Sequence, residues 1–269
     1  MKLRSATILI IIATLIWGGT PAIMKLTLTE VPVFTLAFIR MAGASVILSF
    51  FIFKKLKIKK PDIKTFIYAG LSGVTFNIAF FFLGLKLAPA INAALLAASM
   101  PILTLLAANF FLKEKFSLKV LAASVIAASG VFFIIGLPSA SNLTQFIGNI
   151  LLLLSAIAWV IYEIVSKKLF RSYGASTVAF YTMAIGAVTF APLAIYEQIK
   201  NPVWTSNVTI VGLLGILYGI FFASLTAYWA WQKASRKCPP AAPLFSFTST
   251  QFPVQFWQSS YLEKKSPQA

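Results

Sequence analysis

The sequence predicts an all-α fold: a polytopic transmembrane helix bundle of inverted five-helix repeats, on a ten-span plan with about eight to nine spans present. Three observations carry this reading. The 269-residue chain is 59% hydrophobic and 11% charged, with mean hydropathy +0.87, too apolar for a water-soluble globule. Its apolar runs repeatedly reach the roughly 20 residues that cross about 30 Å of hydrocarbon. The first half also recurs in the second at a fixed offset of 142 residues: Trp17, Lys25, Thr35, Ala37, Phe38, Met41, Ala42 and Val46 return as Trp159, Lys167, Thr177, Ala179, Phe180, Met183, Ala184 and Val188. An internal repeat of apolar segments is a common plan for membrane bundles.

Taken in order, spans are expected at 6–26, 33–53, 65–85, 89–112, 118–137, 147–167, 176–196 and 208–231. Lys2 and Arg4 before the first apolar run resemble a signal peptide. The run is long enough to span, however, no convincing cleavage site follows it, and its Trp17-to-Lys25 segment recurs inside the chain. The connections are short and leave no room for a separate soluble domain. With the N-terminus inside, 17 basic residues fall in inner segments (Lys54 to Lys64, Lys113 to Lys119, Lys167 to Arg171 and Lys233 to Lys237, besides Lys2 and Arg4), whereas Lys25, Lys86 and Lys200 fall outside. This alternation is the positive-inside pattern. It explains the net charge of +17 without nucleic acid, and a surface for anionic lipid is compatible with it. The first span runs outward and its repeat partner, the sixth, runs inward, so the copies are expected to be inverted. The uncharged segment 137–146 divides them, giving a first repeat at 1–137 and a second, incomplete one at 138–237.

The tail 238–269 departs from this pattern. Its Pro, Ser and Gln content, with Gln251, Gln255 and Gln258, makes a poor lipid-facing helix. Read in the frame that starts at each codon's third base, with the wobble base free, Cys238 to Ser266 can encode PASGTFVQFYIHPVSGAVLAVILFGEKI. That is an apolar span whose Pro-to-Glu-Lys spacing matches Pro101 to Glu114-Lys115. The expectation is a frameshift near codons 237–238 that leaves the tail out of frame and removes the tenth span.

The segments LIWGGTPAIMKL (15–26), FIRMAGA (38–44), LGLKLAPAINAALLAASMPILTLLAANFFLKEK (83–115) and the weaker AWVIYEIVSK (158–167) resemble the EamA-type drug/metabolite transporter family. The resemblance covers about residues 5–237. It implies an inner-membrane carrier of two five-helix repeats that moves small organic solutes, with efflux of amino acids or related metabolites as the expected activity. The tail departs from the family, as does Lys113-Glu114, where the family commonly has Gly-Glu.

Alternating access needs helix discontinuities and a polar site near the bilayer midplane. Pro21, beside Gly18 and Gly19, removes a backbone donor and is expected to kink the first span, as a hinge or as a static kink; Pro101 reads the same way. Arg40 lies inside the second span, where a cation costs roughly 2.5–3.5 kcal/mol on insertion scales. It is expected either to face a wet cavity, with an anion-binding or gating role, or to pair with an acid or snorkel to the surface. Its repeat partner is Thr182, so any charge role is asymmetric. Glu163 reads as an i,i+4 partner of Lys167 or as a proton-coupling carboxylate, and Glu114 as a coupling or structural acid at the inner boundary. Trp17, Trp159, Tyr162, Tyr181, Tyr218 and Asn77 join Arg40 as candidates to line a substrate cavity, against the alternative of plain packing. Asn92 and Asn109 read as interhelical hydrogen-bonding groups, and Tyr196, Trp204, Trp229 and Trp231 as interface anchors.

Other classes find little support in the residues. The chain has no histidine and one cysteine, Cys238, so neither a His-ligated metal, a His base nor an internal disulfide is expected. No GxxxxGK[ST] phosphate loop occurs. The expectation is a non-enzymatic carrier without cofactor or metal, with lipid and a small organic solute as partners. The rivals are a non-transporting remnant or a regulatory membrane subunit, and a membrane enzyme is disfavoured.

Overall fold

The computed structural model describes residues 3–52, 57–97, 100, 103, 125–126, 129–133 and 142–235. Helix boundaries follow local chemistry. α1 (Leu3–Thr27) carries Pro21 within it. α2 (Val33–Ile52) starts directly after Pro32, whose carbonyl accepts from the Leu36 N–H. α3 (Lys60–Leu87) opens with Pro61 in its first turn, where a missing N–H is harmless. It ends at Ala88, which is extended (φ −121°, ψ 158°) because Pro89 follows. α4 is described over Ala90–Ala97. α5 (Leu143–Ser172), α6 (Ala175–Lys200) and α7 (Ile210–Ala234) complete the described helices, with a single turn at Trp204–Asn207 between the last two.

Six of these (α1, α2, α3, α5, α6 and α7) are long and apolar enough to cross a membrane, and no strand occurs among the described residues. They coincide with six of the eight expected spans. Of the expected spans at 89–112 and 118–137, α4 and a few helical residues around 125–133 are described and the remainder lies outside the described residues, as do Pro101, Asn109, Glu114 and the tail. Large apolar side chains such as Phe50, Phe51, Val188 and Ile199 point outward. That exposure suits hydrocarbon surroundings.

Contacts between helix ends give the directions. Glu197, late in α6, accepts from the Thr35 N–H (2.7 Å) and hydroxyl (3.0 Å) at the start of α2. Glu30, just after α1, accepts from the Thr209 N–H and hydroxyl, both at 2.8 Å, at the start of α7. Lys25 near the end of α1 donates to the Leu85 and Ala88 carbonyls at the end of α3 (2.7 and 2.6 Å). At the other face, the Tyr173 hydroxyl, just after α5, donates to Asp62 (2.8 Å) and accepts from the Lys59 N–H (2.9 Å) at the start of α3. Thus α1 and α3 run together, while α5 and α7 run the opposite way. The most extensive packing joins α2 to α6, α3 to α5 and α1 to α7. Exchanging the halves maps the first pair onto itself and interchanges the other two, as a two-fold axis in the membrane plane requires.

The two carboxylates have matching roles. Each accepts from the first turn of a helix in the opposite half, where unpaired N–H groups and the helix dipole favour an anion.

Candidate functional site

α3 and α7, the third long helices of the two halves, each widen into π-helical turns, at Leu71–Phe76 and Tyr218–Thr226. Such turns misalign the backbone ladder and leave carbonyls for other donors. Side chains from elsewhere in the bundle supply them. The Tyr228 hydroxyl donates to the Gly73 carbonyl (3.0 Å). Arg40 Nε donates to the Gly219 carbonyl (3.4 Å), and Trp17 Nε1 to the Ala223 carbonyl (3.0 Å). Both glycines permit close approach: a Cβ on Gly73 would strike the Tyr162 ring, and one on Gly219 would lie 2.8 Å from Arg40 Cγ and Cδ.

Beside these turns lies a cavity of about 110 Å³, enough for several waters or a small solute. Trp17, Pro21, Arg40, Asn77, Trp159 and Tyr228 contribute to its wall, from both halves. The indoles of Trp17 and Trp159 meet edge-on with centroids 5.2 Å apart, and Tyr228 lies 5.5 and 5.4 Å from them. Equivalent residues touch one another only near a two-fold axis, so the repeated Trp marks where the halves meet. Asn77 Nδ2 donates to the Ser155 carbonyl (2.9 Å) and hydroxyl (3.0 Å) across α3 and α5.

Of the seven candidate cavity residues, Trp17, Arg40, Asn77 and Trp159 line this space. Tyr162 is buried behind it, where its hydroxyl accepts from Gln232 (2.7 Å). Tyr218 donates to the Ile16 carbonyl, which also accepts from Thr20 (3.0 Å). Tyr181 packs on Phe66 at 5.1 Å, toward the end of the bundle where α3 begins. Gly18 and Gly19 are buried within an α1 that runs unbroken through Pro21, and Pro21 itself faces the cavity.

Arg40 is 3% exposed. Its other contacts are Ser224 Oγ (3.2 Å), Met24 Sδ (3.9 Å) and the Phe82 ring, whose centroid lies 5.2 Å from the guanidinium carbon. None of these contacts, among the described residues, is to an acid, and Arg40 lines the cavity. Thr182, its repeat partner, donates to the Val178 and Ala179 carbonyls of its own helix (2.9 and 3.1 Å).

Glu163 is buried; one carboxyl oxygen accepts from Trp231 Nε1 (2.9 Å) and the other has no hydrogen-bond partner among the described residues. Trp231 is 1% exposed, which corrects its assignment as an interface anchor: α7 turns this indole inward to meet the Glu163 carboxyl. Trp229 under Lys233 (4.3 Å) and Tyr196 near Lys200 (5.9 Å) fit the boundary role better. Asn92 Nδ2 donates to Asn149 Oδ1 (2.8 Å), an interhelical bond. Sequence reasoning missed Tyr228, Glu30 and Glu197. Tyr228 had a readable signal, a tyrosine inside an apolar span, whereas the two acids act only through partners more than 160 residues away.

Similarity to known proteins agrees with this architecture. An uncharacterized transporter of Archaeoglobus fulgidus is 30% identical over 233 residues, 84% of this chain and 78% of that protein. The uncharacterized transporter YyaM of Bacillus subtilis is 26% identical over 202 residues, 72% of this chain and 65% of that one. A solved crystal structure superposes with a TM-score of 0.67 at 19% identity, covering 99% of this chain and 91% of the other, a likeness of fold. The pattern of the EamA-like transporter family matches residues 4–136 and again 146–250. Most of the sequence is thereby accounted for, and the chain belongs to the EamA-like transporter family.

Proposed function

We propose that the protein is a secondary carrier exporting small organic solutes, amino acids or related metabolites among them, by alternating access. The observation that carries this reading is the cavity where the antiparallel halves meet, walled by Trp17 and Arg40 from one half and Trp159 and Tyr228 from the other. A site shared between two inverted units opens to alternate faces as one unit rocks against the other. The two matched stretches, 4–136 and 146–250, support two repeats that divide near residue 137, the second match running past 237. The π-helical turns are backbone discontinuities that support such rocking, and Pro21 removes one backbone donor from an otherwise continuous α1. The positive-inside pattern supports a cytoplasmic N-terminus in a bacterial-type inner membrane. No step of this reading forms or breaks a covalent bond.

The test is entrance counterflow in liposomes containing the folded chain, with labelled amino acids and organic acids supplied as a panel. Trp17→Ala should lower the accumulation of a transported solute at least tenfold. If folded protein accumulates no member of the panel above empty liposomes, the carrier reading fails.

A further inference from the structure

The carrier reading leaves the chemical class of the solute open. Resting on that reading, we infer that the cavity recognises an organic monoanion, a carboxylate on a flat apolar body, with Arg40 as the group that binds the anionic end.

Donor bookkeeping comes first. A guanidinium carries five N–H donors. In Arg40, Nε, Nη1 and Nη2 each make one contact, at 3.4, 3.9 and 3.2 Å, to a carbonyl, a thioether and a hydroxyl. Each terminal nitrogen has a second N–H, so two donors have no partner among the described residues. All three contacts are long for a charged donor, which normally sits 2.7–2.9 Å from an oxyanion. The other cavity groups direct their donors at protein oxygens: Trp17 at Ala223, Thr20 at Ile16, Asn77 at Ser155 and Tyr228 at Gly73. Trp159 lies toward the Glu163 carboxyl, so Arg40 is the charged donor left for a solute.

Charge balance points the same way. Among the described residues lining the cavity, Arg40 is the ionised one and no carboxylate faces it. A buried cation without a counter-ion is unfavourable in a membrane span and favourable once an anion joins it. A guanidinium fork matches a carboxylate in bidentate geometry. An ammonium group placed at Arg40 would meet an uncompensated like charge. Around the cation the wall is aromatic and aliphatic: Trp17, Trp159, Phe81 and Ile78. Flat apolar bodies pack well against such rings.

The matched probes are benzoate, its neutral isostere benzamide, and benzylamine. Binding to the purified chain in detergent is read by tryptophan fluorescence, since two cavity walls are indoles. Flux of the same probes is read in liposomes. The expected result is benzoate binding at least tenfold tighter than either analogue. Arg40→Gln should erase that preference, bringing the three within about threefold, and Arg40→Lys should keep it at weaker affinity. A merely structural arginine would alter thermal stability without changing the ranking of the probes. Equal binding of benzamide or benzylamine by the unaltered chain overturns the proposal without recourse to a variant, and so does absence of binding by all three. Carboxylate-selective binding without flux leaves the anion site standing and removes the carrier reading. Flux without charge preference does the reverse.

Discussion

Gly219→Ala isolates the position of Arg40 from its charge. The new methyl would sit 2.8 Å from Arg40 Cγ and Cδ and 3.1 Å from Nε. Carbon atoms settle about 3.5–4.0 Å apart, so the arginine stem must withdraw by roughly 0.7–1.2 Å. The Nε contact to the Gly219 carbonyl is already 3.4 Å long and does not survive that shift. Overpacking costs about 1–3 kcal/mol, and alanine in place of glycine in helical backbone returns about 1 kcal/mol. The net loss of stability should therefore be about 0–2 kcal/mol. Anion recognition should suffer more, because misplacing a binding group by about 1 Å can cost on the order of 100-fold. We expect benzoate affinity to fall 10–100-fold while benzamide binding barely changes. Gly43→Ala is the matched control at the same α2–α7 contact. The atoms nearest its Cβ would be those of Ile220, at 3.1–3.3 Å, and benzoate binding should stay within threefold of the parent. Fluorescence titration and thermal unfolding in one detergent read both quantities. Benzoate binding by Gly219→Ala at parental affinity, or an equal loss for benzoate and benzamide, would refute the reasoning.

Two further outcomes follow from contacts away from the cavity. Trp231→Phe removes the indole that donates to buried Glu163 and should destabilise the fold by about 1–3 kcal/mol; adding Glu163→Leu should recover part of that loss, as seen in detergent unfolding curves. Between α1 and α7, the Thr209 N–H and then its hydroxyl hold the Glu30 carboxyl below its ordinary value of 4.5. A depressed carboxylate contributes stability that is complete above the unfolded value and is lost as pH falls through the folded one. Hydrogen exchange at residues 208–212 should therefore speed up relative to the rest of α7 only below about pH 4.5, and Glu30→Gln should abolish that pH dependence.

Much of the architecture was legible in the chain because hydrocarbon imposes simple rules. Six spans and the antiparallel relation of the halves follow from apolar run length, clustered basic residues at alternate ends and the 142-residue recurrence, since a helix in lipid must satisfy its own backbone and keep cations in water. Trp17 and Trp159 could be singled out by their repetition, and Arg40 by its cost within a span. The π-helical turns were not legible. They depend on which side chains of the opposite half supply donors to Gly73, Gly219 and Ala223, contacts spanning 155 to 206 residues. For the same reason only the tertiary structure decided that Trp231 turns inward, that Tyr162 lies behind the cavity, and that Glu30 and Glu197 cap helices across the bundle. Sequence determined which segments are apolar enough to enter a membrane, because that is a local exchange between water and lipid. The site was decided by packing, because its geometry exists only where the two halves meet.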